Sequence, residues 1–427
     1  MSNIIKQVFF LFHVSWIILG ELLLYLVVQN YSSFIDRITS RLAAINILYV
    51  KLFQSVALNQ NLIDDEMNNK LLRFTDNAPW NADDVDIVSL INLRNEYNLE
   101  EFTQPINTGM ISLVYKTYIK ETIEPIIIKI KRVNIEKKID DAVENLMFFM
   151  NIISFIPLVN KYNLYELVQK NICIIRNQTD FSKEVTNMTT IKYNCRNLKY
   201  VKIPVVYPSV TEKYTNIIMM EYIDGVPIDK VKNDNYATFA KQVMKFFIVT
   251  TLMHGITHGD LHGGNIIFIE DGDKCQIGVI DFGNIYEIDK SYLTACLEIM
   301  TDLFILPVNV IAEKVLLTGI IEPLDVLKSL PKEHYNNIVK FGSEILENVI
   351  HSSKQMNQMQ IYKCLYAFSS YLNKNKLVGL RISDNFVNSQ LALAMAHGVA
   401  LTLCKDDCVS ILDVVINELF HIKTFTD

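Results

Sequence analysis

The amino-acid sequence predicts an α+β fold in which a small sheet-bearing lobe is followed by a larger helical lobe. Short runs rich in β-branched residues occur at 103–134 and are separated by a polar stretch, as in a hairpin. The segment 236–256 has the apolar spacing of a long helix. The residues from about 289 to 427 are helical in composition. Segments of these two kinds in this order predict two lobes of different make-up.

The chain of 427 residues is long enough for one large two-lobed unit. We predict four segments along it. They are a hydrophobic helix at 1–30, a helical extension at 31–102, the sheet-bearing lobe with inserted helices at 103–225, and the helical lobe at 226–427.

The N-terminal segment contains a run of 21 mostly apolar residues at 8–28. As a helix this run would be about 30 Å long, which is the thickness of the hydrocarbon core of a bilayer. His13 and Glu21 interrupt the run, and a carboxylate in lipid is costly. A secretory signal is not expected, since no small-x-small cleavage site follows. The run therefore predicts either a membrane helix or a buried or interfacial helix.

The overall composition argues against nucleic acid as the main partner. The formal net charge is −7, and binding to phosphates requires clustered Lys and Arg. Half of the residues are apolar, which is enough for a sizeable core. The seven cysteines are scattered, and Cys404 and Cys408 have no second pair with which to form a zinc site. Reduced thiols are expected.

The stretch "HGDLHGGN" at 258–265 contains the pattern H-x-D-x-x-x-x-N, and "IDFG" follows it with Asp281. This is the order of parts that a phosphoryl-transfer enzyme needs. Asp260 would orient or deprotonate the acceptor. Asn265 and Asp281 would hold Mg²⁺, which prefers oxygen ligands. The pattern therefore predicts catalytic and metal-binding loops.

The histidines at 254, 258 and 262 raise the alternative of a zinc site, since their spacing suits one helix face. The intervening glycines, Gly255, Gly259, Gly263 and Gly264, make a continuous helix improbable. We therefore expect these histidines to belong to a catalytic loop.

Two residues of the β-rich region are candidates for nucleotide binding. The loop containing Gly109 could close over phosphates through its backbone amides. Lys129, on the following apolar strand, could reach the α- and β-phosphates and pair with a helix carboxylate. A lysine in such a strand could also be an edge residue. The downstream Asp-Asn-Asp set favours the catalytic interpretation.

The combined motifs resemble those of the UbiB (ADCK-like) family of atypical kinases, in which "HADPHPGN" stands where this chain has "HGDLHGGN". Other segments over roughly 40–300 follow the order of that family. Lys51 and Gln54 match its KxGQ motif, "QTDFSKE" at 178–184 resembles its ExD-plus-helix-C segment, and "MEYIDG" at 220–225 resembles its hinge strand. The resemblance implies a bilobal protein-kinase-like fold with an N-terminal helical extension.

The resemblance also implies roles for single residues. Glu184 matches the helix-C glutamate that pairs with Lys129, and Asp180 matches the second acid of ExD. The expected set is catalytic Lys129, Glu184 and Asp260, nucleotide-binding Gly109, Lys129, Glu221, Lys51, Gln54 and Asp180, and metal-binding Asn265 and Asp281, with ATP and Mg²⁺ as cofactors.

Several positions depart from the family pattern, and the Ala-rich nucleotide loop of the family reads "NTGMISLV" here, with Gly109. Phe53 replaces the glycine of KxGQ, Gln178 replaces the first acid of ExD, and Gly263 replaces a proline of the catalytic loop. In that family the extension packs over the site where a protein substrate would dock, which disfavours ordinary protein kinase activity. The departures bear on this regulation and leave the nucleotide set complete, so we expect ATP binding and some turnover.

The resemblance implies a membrane-associated, intracellular kinase or ATPase that supports ubiquinone or other isoprenoid-lipid metabolism. Its partner would be a membrane lipid or a quinone precursor. One alternative is a small-molecule phosphotransferase of the aminoglycoside or choline type, without a covering extension. Another is a membrane scaffold that binds ATP without turnover. The sequence names neither the acceptor nor the oligomeric state.

Overall fold

The computed structural model describes residues 3–46, 48–51, 78–153, 155, 164–271, 274–302, 305–351, 358–375, 377 and 379–404. The chain divides into two compact units. Unit 1 comprises Met1–Val185 and Val205–Tyr222, and unit 2 comprises Thr186–Pro204 and Ile223–Asp427. Unit 1 contains a four-stranded sheet, and unit 2 contains long helices with short strands. The predicted α+β class is confirmed, while the four predicted segment boundaries stay a prediction.

The helices of the described residues are, in chain order, α1 (Asn3–Val28), α2 (Tyr31–Ile45), α3 (Ile87–Glu96), α4 (Ile135–Ile153), α5 (Leu164–Asn177), α6 (Phe181–Asn194), α7 (Pro208–Lys213), α8 (Tyr236–Ile248), α9 (Lys290–Asp302), α10 (Val308–Val315), α11 (Leu324–Ser329), α12 (Lys332–His351), α13 (Gln358–Lys374) and α14 (Asp384–Leu403). The strands are β1 (Asn107–Thr108), β2 (Ser112–Ile119), β3 (Glu124–Lys131), β4 (Val201–Lys202), β5 (Ile217–Glu221), β6 (Ile256–His258), β7 (Ile266–Asp271), β8 (Lys274–Val279), β9 (Ile285–Glu287), β10 (Ile321–Glu322) and β11 (Arg381–Ile382).

The sheet of unit 1 has the strand order β1-β2-β3-β5, and its neighbouring strands are antiparallel. Three isoleucines of β3 are fully buried, namely Ile126, Ile128 and Ile130. They share a core with residues of β2 such as Leu113. Because successive side chains of a strand point to opposite faces, Lys129 leaves the sheet on the other side. The alternation in β3 thus fixes the face that carries the lysine.

Helix α1 packs against the rest of unit 1 along one stripe. The buried residues of this stripe are spaced three or four apart: Phe10, Val14, Ile17 and Glu21. The remaining faces expose large apolar side chains along the whole helix, among them Phe9, Phe12, Trp16, Leu23 and Val27. By length and hydropathy, Ile4–Val28 is a candidate membrane span. Helix α1 is therefore apolar on most of its surface and packed along one stripe.

The carboxylate in this apolar helix has partners inside unit 1. Glu21 is 1% exposed, and its oxygens lie 2.6 Å from Arg37 Nε and 2.9 Å from Arg41 Nε. Both arginines belong to α2, one turn apart. The cost of placing Glu21 in apolar surroundings is therefore offset by two charged neighbours. The sequence pattern gave no sign of this pairing.

The catalytic-loop region of unit 2 lies between short strand pairs. β7 and β8 form an antiparallel hairpin, β8 also pairs in parallel with β4, and β6 pairs with β9. Helix α8 continues into a π-helical turn, Val249–Met253, which leads into β6. The predicted hairpin before Asp281 is present. The strands of two or three residues were not predicted, because so short a run has no periodic pattern.

Helix α14 is a second candidate membrane span by length and hydropathy alone. It packs along α8, and its small residues Ala392, Ala396 and Ala400 are buried. Small side chains allow two helices to approach closely. We therefore interpret α14 as a core helix of unit 2.

Candidate active site

The lysine of β3 and the glutamate of α6 form a buried ion pair in unit 1. Lys129 Nζ lies 2.6 Å from Glu184 Oε1, and the two side chains are 11% and 1% exposed. Glu184 lies in the first turn of α6, where the helix dipole favours a negative charge. The contact expected from the sequence is present. Its part in nucleotide binding stays a prediction.

The surroundings of this pair are largely apolar. Phe181 is buried at the start of α6 and packs with Val185 and Ile218. Its ring centroid lies 5.7 Å from Lys129 Nζ and 5.4 Å from Lys131 Nζ. Because apolar surroundings screen charges weakly, the attraction within the pair is strong and the loss of either partner is costly.

The loop with Gly109 is held by an arginine that sequence reasoning did not single out. Arg132 Nε donates a hydrogen bond to the Gly109 carbonyl at 3.0 Å. The same guanidinium donates to Asp84 Oδ2 at 2.9 Å and to the carbonyls of Pro79 and Ala78 at 2.8 and 3.1 Å. Arg132 thus fixes the Gly109 loop to the segment before α3. Its position directly after the predicted "IKIK" strand was the available signal.

The lysine of the KxGQ-like motif contacts the residue that replaces the first acid of ExD. Lys51 Nζ donates a hydrogen bond to Gln178 Oε1 at 3.1 Å. Lys51 is half-buried, and this contact joins a charge to the dipole of a neutral amide. Gln54 and Phe53 lie outside the described residues, so their predicted roles are unchanged.

The second acid of ExD caps a helix. Asp180 precedes α6, and its Oδ1 accepts the Lys183 backbone N–H at 3.0 Å. This is the N-cap arrangement that satisfies a free amide at a helix start. The capping bond accounts for an acidic residue at this position, and binding of the cofactor by Asp180 stays a prediction.

The glutamate of the hinge-like strand also has a structural partner. Glu221 ends β5, and its Oε2 accepts the Val205 backbone N–H at 3.0 Å. The side chain thereby ties the strand to the chain that precedes α7. A contact between Glu221 and a nucleotide stays a prediction.

In unit 2, His258 joins the catalytic loop to the metal-binding loop. Its Nδ1 accepts the Asp260 backbone N–H at 3.2 Å, and its Nε2 lies 2.7 Å from the Asp281 carbonyl oxygen. A ring that accepts at Nδ1 carries its proton on Nε2, which therefore donates to Asp281. Burial lowers the pKa of His258 despite the opposing hydrogen bond to Asp281, so the ring is neutral at pH 7.

Hydrogen bonds to nearby backbone groups hold the two predicted metal ligands, Asn265 and Asp281, in place. Asn265 Nδ2 donates to the Asp260 carbonyl at 2.8 Å, and the Asn265 carbonyl accepts the Ile280 N–H at 3.1 Å. Asp281 Oδ1 accepts the Gly283 N–H at 3.0 Å. An amide that donates through its nitrogen presents its oxygen for another partner. A carboxylate and an amide oxygen on adjoining loops fit the oxygen ligands that Mg²⁺ prefers.

Steric packing explains why a glycine, Gly259, lies between the histidine and the aspartate of the catalytic loop. A Cβ at Gly259 would lie 2.1 Å from Tyr286 Cε2. The Gly259 N–H also donates to the Asn284 carbonyl at 2.8 Å, which holds the loop against β9. The alanine of the UbiB pattern would not fit beside Tyr286 in this arrangement. The glycine that replaces the alanine of the UbiB pattern therefore reflects packing against Tyr286, and Asp260 keeps its place in the loop.

A further positioning residue is Asn187 in the second half of α6. Its Nδ2 donates to the carbonyl of Phe282, which follows Asp281, at 3.0 Å. Phe282 is fully buried, and its ring lies 5.7 Å from that of His258. Asn187 was not identified from the sequence, because an isolated asparagine on a helix carries no signal of its own.

The zinc alternative finds no support in the described residues. Across residues 3–404, apart from the gaps given above, no group of three or more His, Cys, Asp and Glu is placed to hold a metal ion. His258 uses both ring nitrogens in hydrogen bonds, and His262 Nδ1 accepts the Gly264 N–H at 3.1 Å. The expectation that these histidines shape a loop agrees with these contacts.

Residues 87–315, more than half of the chain, match the family model described as the ABC1 atypical kinase-like domain. The chain is 24% identical over 277 residues to the probable protein kinase UbiB of Shewanella sp. (strain W3-18-1), covering 60% of this chain and 49% of that protein. It is 24% identical over 264 residues to the protein of the same name from Shewanella woodyi, covering 58% and 47%. The chain thus spans about half the length of these relatives.

Among solved structures, the chain is similar to a Rio2 kinase–ADP/Mg²⁺–phosphoaspartate complex from Chaetomium thermophilum. The TM-score is 0.32 at 14% identity, over 79% of this chain and 99% of that one. A score of this size is too low for the two folds to be equated. The family assignment rests on the domain match and on the motifs above. The chain belongs to the ABC1 (UbiB, ADCK-like) family of atypical kinases.

Proposed function

We propose that this protein is an atypical kinase or ATPase that uses Mg-ATP at a membrane. The observation that carries the proposal is the buried ion pair of Lys129 and Glu184. Lys129 lies on β3, which has a neighbouring strand on each side, so it is not the edge residue that a solubility role would require. A buried charge is costly to maintain without a counter-charge, and a kinase needs this pair to place the lysine against the phosphates of ATP.

Each residue of the candidate site has a separate task in this proposal. Lys129, oriented by Glu184, binds the α- and β-phosphates. Asp260 orients the acceptor hydroxyl or takes its proton. Asn265 and Asp281 hold Mg²⁺, which neutralises charge on the phosphates when it is bound. Catalysis then comes from positioning and charge stabilisation.

His258 supports this arrangement without adding charge. Because the ring is neutral, its two hydrogen bonds fix the backbone at Asp260 and at Asp281 at once. A cation at this place would compete with the metal for the Asp281 carboxylate. We therefore regard His258 as a positioning residue rather than a proton carrier.

The membrane part of the proposal rests on α1. Its exposed faces carry aromatic and aliphatic side chains with exposed fractions such as 70% at Phe12 and 74% at Trp16. Its one carboxylate, Glu21, is neutralised by Arg37 and Arg41, which removes the main obstacle to contact with lipid. A hydrophobic acceptor, such as a lipid or an isoprenoid precursor, agrees with this placement and with the resemblance.

The first experiment measures Mg-dependent ATP hydrolysis by the full chain with lipid vesicles. We expect Asp281→Asn to lower turnover by roughly a hundredfold to a thousandfold, as loss of a transition-state electrostatic group does. Asp325→Asn, an exposed aspartate of α11, is the matched control and should keep full turnover. Equal hydrolysis by wild type and Asp281→Asn would refute the metal site.

A second experiment tests membrane binding separately, by flotation with vesicles. We expect Phe12→Glu combined with Trp16→Glu to abolish flotation, because two charges would face the hydrocarbon. Val88→Glu, which changes an exposed apolar residue of α3, is the control. Undiminished flotation of the double variant would refute the role of α1.

A further inference from the structure

A pocket of about 360 Å³ that is partly open to the surface lies in unit 2, between α8, α9, α10, α12, α13 and α14. Large apolar side chains from these helices surround it, among them Phe247, Leu293, Leu346, Phe368 and Leu393. An apolar pocket of this size is typical of a small-molecule binding site.

The chemistry of the walls defines the kind of occupant. None of the described residues that line the pocket is Asp, Glu, Lys, Arg or His. Tyr292 contributes a hydroxyl whose pKa is raised above the ordinary value by burial and by the neighbouring Cys296 thiol, so it stays neutral. A charged ligand would lose its hydration without finding a counter-charge. The walls therefore select a neutral, mainly hydrocarbon molecule.

The volume sets the size of the ligand. An engineered apolar cavity of about 150 Å³ holds benzene, and small-molecule sites span about 300–1,000 Å³. At about 360 Å³ the pocket suits one flexible chain of the size of a small lipid tail. Hydroxyls at Tyr292, Thr251 and Ser389 offer partners for a single polar end group.

The pocket adjoins the element that leads into the catalytic loop. Thr251 and Leu252 line it, and both lie in the π-helical turn Val249–Met253. Five residues past Met253, β6 ends at His258, whose ring fixes the backbone of Asp260. π-helical turns occur frequently at functional sites. A ligand in the pocket would therefore pack against the turn that leads through β6 into the loop of Asp260.

From the size, walls and place of the pocket, we propose that unit 2 binds one neutral hydrocarbon-chain molecule, isoprenoid or straight-chain, behind the catalytic loop. This site is distinct from α1 and from the residues proposed to bind ATP. Binding itself does not depend on the proposed enzymatic function. Only the expected change in ATP turnover on binding rests on that function.

The binding test uses the full chain without nucleotide and two neutral alcohols, farnesol and dodecanol, as probes. A ligand that binds the folded state alone raises Tm in a saturable way. We expect a saturable rise in Tm with at least one alcohol. A rise with farnesol alone assigns a branched isoprenoid, and a larger rise with dodecanol assigns a straight chain. No saturable rise with either would overturn the proposal, as would a pocket filled by another part of this chain.

A matched pair of variants locates the site. A Cβ at Gly342 of α12 would only touch Leu316 Cδ1 at 3.7 Å and Ala312 Cβ at 4.0 Å, so this position accepts a side chain that enters the pocket. We expect Gly342→Phe to fold and to lose the rise in Tm. Gly342→Ala should keep it. If Gly342→Phe does not fold, Ser389→Leu fills the pocket from α14 instead.

These variants leave α1 unchanged, so adsorption of the alcohols on α1 would persist in all of them. An undiminished rise in Tm in a folded Gly342→Phe protein would therefore overturn the proposal. A separate ATP hydrolysis assay with farnesol or dodecanol tests the coupling. Binding without any change in turnover would keep the site and remove the link to the catalytic loop.

Discussion

Two lysines of unit 1 meet side-chain oxygens near the start of α6, and the contrast between them shows how burial decides which partner is needed. Lys129 is nearly buried and lies 2.6 Å from the carboxylate of Glu184. Lys51 is half-buried and lies 3.1 Å from the amide of Gln178. Water can stabilise Lys51 in part, whereas Lys129 depends on its partner. A neutral residue is therefore acceptable at 178 and costly at 184.

The variant with the largest expected effect replaces the carboxylate beside Lys129 by an amide, which is the kind of partner that Lys51 has. We expect Glu184→Gln to lower the free energy of unfolding by about 3–5 kcal/mol, because a buried ammonium would lose its counter-charge. Urea unfolding of the full chain measures this. Turnover of ATP should fall in parallel.

The matched control for this variant is Glu136→Gln, in an exposed ion pair with Lys131 that should contribute about 0–1 kcal/mol. A double variant, Glu184→Gln with Lys129→Met, should recover part of the loss, since no unpaired charge remains. Equal stabilities of Glu184→Gln and wild type would contradict the interpretation.

The comparison extends to a buried titratable group, His258, whose two ring nitrogens make hydrogen bonds to the backbone. His258 has a pKa lowered from 6.5 by burial, so the folded protein keeps it neutral while the unfolded chain protonates below pH 6.5. Stability is therefore unaffected above that pH and falls as pH drops below it, with a slope of up to about 1.4 kcal/mol per pH unit. His258→Gln should reduce this slope. The measurement is Tm from pH 8 down to 5, and an unchanged slope would show that the ring does not carry the effect.

A smaller effect is expected from giving Lys51 a carboxylate. Gln178→Glu should stabilise the fold by up to about 1 kcal/mol, because the pair remains partly exposed to water. The new carboxyl would have a pKa lowered by Lys51, so the gain is present above its unfolded pKa of about 4.3 and is lost as pH falls through the folded value. Salt titration at pH 7 should weaken the gain. A gain that is independent of salt would exclude the ion pair.

The smallest effect belongs to the native Lys51 contact. We expect Lys51→Met to change the free energy of unfolding by about 0.5–1.5 kcal/mol, the usual net contribution of one hydrogen bond. Lys120→Met, at an exposed turn after β2, is the control. A loss as large as that of Glu184→Gln would mean that the two lysines are equally dependent on their partners.

The sheet and catalytic loops were predictable because each depends on local patterns. The alternation of isoleucines in β3 fixed the strand and the face of Lys129, and "HGDLHGGN" with "IDFG" identified the order of Asp260 and Asp281. The contacts of Arg132, Asn187 and Tyr286 were not predictable. Each joins residues far apart in the chain, and one sequence contains no record of such pairs.

The N-terminal helix shows the same limit. Its length and hydropathy were evident, and the structure places its carboxylate, Glu21, against Arg37 and Arg41. Whether a charge is tolerated depends on what lies beside it in space. The pattern of a single helix cannot supply that information.

By itself, the sequence determined the α+β class, the order of the kinase motifs and the membership of the ABC1 family, because strand alternation, helix periodicity and loop motifs act over a few residues. The tertiary structure was needed to show which groups these side chains meet: Lys129 lies beside Glu184, Glu21 lies between two arginines, and His258 is hydrogen-bonded to two backbone groups. The apolar pocket behind the catalytic loop was likewise evident only in the tertiary structure. The physical reason is that solvation and packing depend on neighbours that folding brings together from distant parts of the chain.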